Sequence, residues 1–194
     1  IDPVACVGCG VCAWFCPEGA VRLERVSGGE LFVSTTRYGF LVHARLDPAH
    51  GDSGGFVPLV LREARDVAAR KGRDLVIVDG PRGTGHPAAA SVSGADLVLI
   101  VTEPTPAGAQ GLARAAQLTS RLGIPTAVCV NKWDLNPDMT ASIEQDARSR
   151  KVSVVGRIRH DPAVSQCQRM QATIIEYTGG AVSQDIRAMW ERLI

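Results

Sequence analysis

DLVLIVTEPTPAGAQGLARAAQLTSRLGIPTAVCVNKWD (residues 96–134) holds two unbroken apolar runs of strand length, 96–103 and 125–134, with a helical stretch at 107–123 between them. Apolar runs without alternation suit strands buried on both faces, as in parallel sheets. A strand, a helix and a further strand form a right-handed parallel unit. The pattern continues in both directions. DLVIVDG (74–80) reads as an earlier strand and VSVVGRI (152–158) as a later one, with helices at 137–151 and at SQDIRAMWERLI, the end of the chain. FVPLVLREARDVAARKG (56–72) is a helix closed by Gly72, and LFVSTT and FLVHARL are two β-rich runs around a break at Tyr38-Gly39. PAHGDSGG, from Pro48 to Gly55, reads as a loop. The expected fold class is α/β, a parallel sheet with helices on both faces.

Composition agrees. Of 194 residues, 45% are hydrophobic and only 5% aromatic, so the core is Val, Ala, Leu and Ile, the usual filling of such a sheet. The formal charge of +1 comes with no basic run or acidic tail, which gives no electrostatic reason to expect nucleic acid as a partner. No apolar stretch approaches the ~20 residues that span a bilayer, and the N-terminus lacks the pattern of a signal peptide, so a cytoplasmic protein is expected.

CVGCGVCAWFCP places Cys6, Cys9, Cys12 and Cys16 in the bacterial ferredoxin spacing C-x2-C-x2-C-x3-C-P. Zinc ribbons use two separated CxxC pairs, which the chain lacks. Thiols this dense in so short a segment read as the ligands of a [4Fe–4S] cluster. In two-cluster ferredoxins the cysteine before the proline serves the other cluster. Either Cys16 folds back to complete the cluster of Cys6, Cys9 and Cys12, or a partner motif precedes Ile1; the second is the favoured expectation. Cys129 and Cys167 read as free buried thiols. Trp14 and Phe15, inside the cysteine loop, are expected to shield the cluster. The domain expectation is a partial ferredoxin-like module at 1–28 and an α/β domain at 29–194.

LVIVDGPRGTG ends an apolar run with Asp79 and follows it with a Gly/Pro loop. An acidic group at the carboxyl end of a parallel strand stands where open α/β sheets bind ligands, and it can hold Mg²⁺. The alternative is that Asp79 caps a short helix starting near His86. Asn131, Lys132 and Asp134 in NKWD resemble the base-reading NKxD element of P-loop NTPases. No G-x-x-x-x-G-K-[ST] loop is present, and none of Lys71, Lys132 and Lys151 follows Gly or precedes Ser or Thr. The expected fold is thus of P-loop NTPase type with its first strand and P-loop missing, and an N-terminal truncation would account for both that loop and a first ferredoxin motif.

DGPRGTGHP, GADLVLIVTEPTPAG, NKWDLN and GRIRHDPAV together resemble the MinD/ParA class of P-loop ATPases, in the branch with an inserted ferredoxin domain. That resemblance implies an ATP-driven dimer formed through the nucleotide face, Mg²⁺, and [4Fe–4S] clusters. It implies that Asp79 is the Walker B acid, with Gly80, Pro81 and Gly83 in the following loop. Asn131 and Lys132 would line the adenine pocket, with Asp161 and Pro162 on its rim. The sequence departs from the family at Arg159, where a proline is usual, and at Gly111, where an acid is. The leading expectation is an ATP-binding iron–sulfur protein in which nucleotide and cluster states are coupled, acting on an unidentified redox or Fe–S client and, without a P-loop, inactive as an ATPase. The alternatives are a ferredoxin-like electron carrier without nucleotide, and a GTPase reading guanine through Asp134.

Overall fold

The computed structural model describes residues 6, 9–23, 28–46 and 55–194. Within the cysteine motif Val7 and Gly8 lie outside that set, as do residues 48–54 of the loop expected from Pro48 to Gly55. The chain divides into two compact units, Ile1–Ser91 and Val92–Ile194.

In the first unit a short helix α1 (Val11–Trp14) follows Cys9, and two strands, β1 (Gly29–Thr36) and β2 (Gly39–Leu46), form an antiparallel hairpin. Register runs from Gly29 opposite Leu46 to Thr36 opposite Gly39. The turn between them is pinned by Thr36, whose hydroxyl donates to the Gly39 carbonyl at 2.9 Å and accepts from the Tyr38 N–H at 3.2 Å. Helix α2 (Phe56–Arg70) packs on β2 and buries Leu61 and Val67. Lys71, just past its end, lies 5.2 Å from the Phe40 ring centroid. Helix α3 (His86–Val92) closes the unit.

The segment 74–80, read as a buried strand, is not one. Among the described residues no strand pairs with it, and Leu75, Val76, Ile77 and Val78 are all exposed, Ile77 by 75%. A parallel strand is held by ladder bonds to its neighbours and by cover on both faces. Apolar composition supplies neither without a neighbouring strand.

The second unit carries the parallel sheet. Its strands β3 (Val98–Thr102), β4 (Thr126–Asn131) and β5 (Ser153–Ile158) stand in sequence order. Around it lie α4 (Pro106–Arg121), α5 (Pro137–Ser149), α6 (Ala163–Arg169), α7 (Ile174–Tyr177) and α8 (Ala181–Leu193). The central strand decides the layering, because successive side chains face opposite ways. Val128 and Val130 pack with Leu112 and Ala116 of α4 and with Ile143 and Ala147 of α5. Ala127 and Cys129 face the other way, onto Val155 and Met189 of α8. Fully burying an aliphatic side chain is worth roughly 1.5–3 kcal/mol, so this four-residue stretch of β4 is the main anchor of the unit.

The helices that follow β3 and β4 begin alike. Thr105 accepts from the Gly108 N–H at 3.0 Å, and Asn136 accepts from the Met139 N–H at 3.0 Å, each with proline at the first helical position. These side chains satisfy amide groups that a helix start leaves unpaired. The two lone cysteines are buried thiols, as expected. Cys129 is fully buried, which pushes its pKa up to about 11, and the Cys167 Sγ donates to the Val164 carbonyl at 3.0 Å.

Candidate functional site

The carboxyl ends of β3, β4 and β5 gather five of the residues singled out from sequence, Asn131, Lys132, Asp134, Asp161 and Pro162. Beyond β3 stands Glu103; β4 ends on Asn131, followed by Lys132; beyond β5 come Arg159, His160, Asp161 and Pro162. Open parallel sheets bind ligands at this end of their strands.

The turn after β4 is built tightly. Lys132 adopts a left-handed conformation (φ 55°), uncommon for a residue with a Cβ, and a 3₁₀ turn at Trp133–Leu135 follows. Thr140, fully buried in α5, donates to the Trp133 carbonyl at 2.9 Å and to the Asn136 carbonyl at 3.0 Å. The Lys132 ammonium meets the Glu103 carboxylate at 2.7 Å, joining the loops after β3 and β4. Both groups are half exposed, so the pair adds at most ~1 kcal/mol to stability; what it fixes is the direction of the lysine. Asp134 joins the next pair of loops, its Oδ1 accepting from the His160 N–H at 2.7 Å. Asp161 is engaged locally, accepting from the Ala163 N–H at 2.8 Å where α6 begins.

Arg159 is held in place from α8. Its backbone N–H, Nε and Nη2 all donate to Asp185, at 3.1, 2.7 and 2.9 Å. These bonds hold the Asp185 carboxyl below the usual range against the opposing effect of burial. Asp185 in turn raises the pKa of the Arg159 guanidinium, with Asp134 and Asp161 adding to the effect. On the other face, Glu144 of α5 is 6% exposed in its side chain and accepts from Arg157 at 2.5 and 2.9 Å and from Arg148 at 3.1 Å. The Arg157 bonds come first in holding its carboxyl low, again against desolvation. Residue identity alone did not mark Thr140, Glu144 or Asp185 as supports; the one available signal was an acid or hydroxyl on the inward face of a helix.

The two carboxyls give a pH dependence with a definite sign. Their folded-state pKa values are depressed, so their contribution is fully present above the ordinary carboxylate range of about 4 and is lost as pH falls through the folded values. Glu144→Gln is expected to be less stable than wild type at pH 7, with the gap narrowing by pH 3. Urea midpoints at the two pH values check this, and a constant gap contradicts it.

Asp79, Gly80, Pro81 and Gly83 belong to the first unit and are all exposed. Asp79 follows the apolar run 75–78, which is not part of a paired strand. A Cβ on Gly80 would come within 3.2 Å of the Ser91 Oγ, and Gly83 has φ +94°, so this loop depends on glycine for both space and backbone conformation.

In the cysteine segment Cys6, Cys9 and Cys12 are exposed and Cys16 is half-buried. The Cys16 Sγ accepts from the Ala20 N–H at 3.3 Å. Backbone N–H groups, Ala20 first and then Glu18, draw its pKa below that of an ordinary thiol, partly offset by desolvation. Amides aimed at the sulfur favour the thiolate, the form in which a cysteine binds metal. The donor chemistry therefore fits an iron–sulfur cluster. Among the described residues no three Cys, His, Asp or Glu side chains are gathered closely enough to hold a metal ion. Trp14 and Phe15 are 84% and 73% exposed, with ring centroids 5.3 Å apart.

Comparison with known proteins supports both parts of the chain. The 4Fe-4S binding domain family matches residues 1–22. The uncharacterized protein MJ0579 of Methanocaldococcus jannaschii is 22% identical over 172 residues, covering 89% of this chain and 57% of that protein. Among solved structures, the cell division ATPase MinD of Pyrococcus furiosus superposes with a TM-score of 0.65 at 15% identity, over 82% of this chain and 68% of its own. The septum site-determining protein MinD of Pyrococcus horikoshii, complexed with Mg-ADP, gives 0.59 at 14% identity, over 76% and 60%. The chain thus has the MinD/ParA ATPase fold together with an N-terminal 4Fe-4S binding motif, and it spans little more than half the length of the curated relative. Among the described residues no helix is long and apolar enough to cross a membrane.

Proposed function

We propose that this chain belongs to an ATP-binding iron–sulfur protein in which the state of the nucleotide and the state of a [4Fe–4S] cluster influence one another. The observation that carries the reading is the set of loops at the carboxyl ends of β3, β4 and β5, where Asn131 and Lys132 stand between Glu103 on one side and Asp161 on the other. Asn131 supplies an amide that can pair with a base edge. The left-handed Lys132, tied to Glu103, supplies an alkyl stem for the base to lie against. Asp161 and Pro162 form the rim. Asp79, followed by Gly80, Pro81 and Gly83, is the acid proposed to take Mg²⁺. Cys6, Cys9, Cys12 and Cys16 would hold the cluster, which supplies one-electron chemistry or iron–sulfur units for a client. A homodimer through the nucleotide face and a cytoplasmic setting belong to the same proposal, as does a division into a module at 1–28 and an α/β domain at 29–194.

Adenine is favoured over guanine because Asp134, the residue a guanine-reading site would use, already has Oδ1 committed to the His160 N–H. Binding of labelled ATP and GTP tests the reading, measured on this chain and on a version extended to the length of its relatives. ATP uptake by the longer version, at least tenfold weaker with GTP and weakened by Asn131→Ala, is the expected result. This chain alone is expected to show no turnover, since it lacks a phosphate-binding lysine loop. If neither version takes up nucleotide, the electron-carrier alternative stands in its place.

A further inference from the structure

β5 has no strand on its outer side among the described residues. Along that side, between α5 on one face of the sheet and α8 on the other, runs a cleft of about 460 Å³. A volume of this size lies in the range of small-molecule sites. Four arginines line it, against two carboxylates.

The pairing among these charges is uneven. Asp185 answers Arg159 with two oxygens, and that pair is closed. Glu144 serves both Arg157 and Arg148, so one buried carboxylate faces two guanidinium groups. Arg192 has only a 3.4 Å contact to the Val155 carbonyl, and among the described residues it pairs with no carboxylate. The cleft therefore carries two positive charges in excess. Trp133 forms part of the wall, with the Arg157 guanidinium 5.4 Å from its ring centroid, which gives the cleft a flat apolar side beside its charges.

We infer that this cleft binds a small polyanion, a molecule with at least two phosphate or carboxylate groups, held by Arg148 and Arg192 from opposite sides and by Arg157 at the base. Arginine suits the task because its planar donors match the oxygens of either group in pairs and its charge does not titrate. The site does not depend on the nucleotide reading, and its failure would leave that reading untouched. Arginines beside an open strand edge also serve proteins by discouraging edge-to-edge pairing, and that simpler role predicts different results below.

Titration calorimetry of the full chain with inorganic pyrophosphate and with citrate tests the inference and separates the two sources of charge. Saturable one-to-one binding of at least one of them is expected, weakening as salt is raised. Arg148→Ala/Arg192→Ala is expected to weaken it at least tenfold, while Gly111→Ala leaves it unchanged. Neither substitution strips Glu144 of Arg157, so the fold should hold; Arg148→Gln/Arg192→Gln repeats the test with more of the stem kept. Absence of saturable binding to both probes, binding undiminished in the double variants, or preference for duplex DNA over both would overturn the inference. Self-association of the double variant without any change in anion binding would overturn it in favour of edge protection.

Discussion

Anaerobically prepared protein is expected to be brown and to contain iron and acid-labile sulfide, and Cys9→Ser or Cys12→Ser to lower the iron content more than tenfold. Serine removes the thiolate while keeping the size of the side chain, so a loss reports ligation rather than packing. Cys9 and Cys12 are exposed, and neither substitution leaves a hole in a core. Cys16→Ser is the more informative change. The Cys16 residue is half-buried and its sulfur accepts from the Ala20 N–H, whereas Cys6, Cys9 and Cys12 are exposed. If it serves a second cluster, as the cysteine before the proline does in two-cluster ferredoxins, its loss should lower iron by less than threefold in this chain. Equal losses at Cys9, Cys12 and Cys16 would make it the fourth ligand of a single cluster. Colourless wild-type material without iron or sulfide would remove the metal reading altogether.

The cysteine motif and the parallel sheet were legible from sequence for the same reason: each is set by spacing within a few residues. Thiols at i, i+3 and i+6, and apolar runs of five or six residues, are local patterns. β3, β4 and β5 fall within the runs that mark them, and the ends of α4 and α5 differ from expectation by only a residue or two. The segment 74–80 contains a run of four apolar residues, as does the strand at 98–102, yet only the latter pairs. The difference lies in what stands beside each, which no local window contains. The supports of the site were illegible in the same way. Glu144 and Arg157 are 13 residues apart, Arg159 and Asp185 are 26 apart, and Glu103 and Lys132 are 29 apart. Such pairs exist only once the helices have packed against the sheet. Asp134 illustrates the limit from the other side. Its place in an NKxD pattern suggested base reading, and nothing in that pattern showed that its carboxylate also accepts from the His160 N–H in the loop after β5.

VTEPTPAG contains one glycine with a structural task that can be stated in ångströms. A Cβ on Gly108 would stand 2.1 Å from the Glu103 carbonyl oxygen and 2.8 Å from the Thr102 Oγ1. That carbonyl already accepts from the Thr105 N–H at 2.8 Å, and the Gly108 N–H donates to the Thr105 side chain. Alanine would therefore have to push apart the end of β3 and the first turn of α4, neither of which is a flexible side chain. Gly108→Ala is expected to cost about 3 kcal/mol, near the upper end for overpacking, and to lower Tm by roughly 6–12 °C for a domain of this size. The displaced backbone belongs to Glu103, so the salt bridge to Lys132 should loosen too, and nucleotide affinity should fall further than stability alone requires. Gly111, one turn along the same helix, is the control: nothing lies within 4 Å of a Cβ built there. Gly111→Ala is expected to stabilise by about 0.4–1 kcal/mol through the unfolded chain and helix propensity. Thermal melts of the two variants, side by side, should move in opposite directions. Equal tolerance at both positions would mean that the close approach of α4 to the end of β3 is not what sets the geometry of this site.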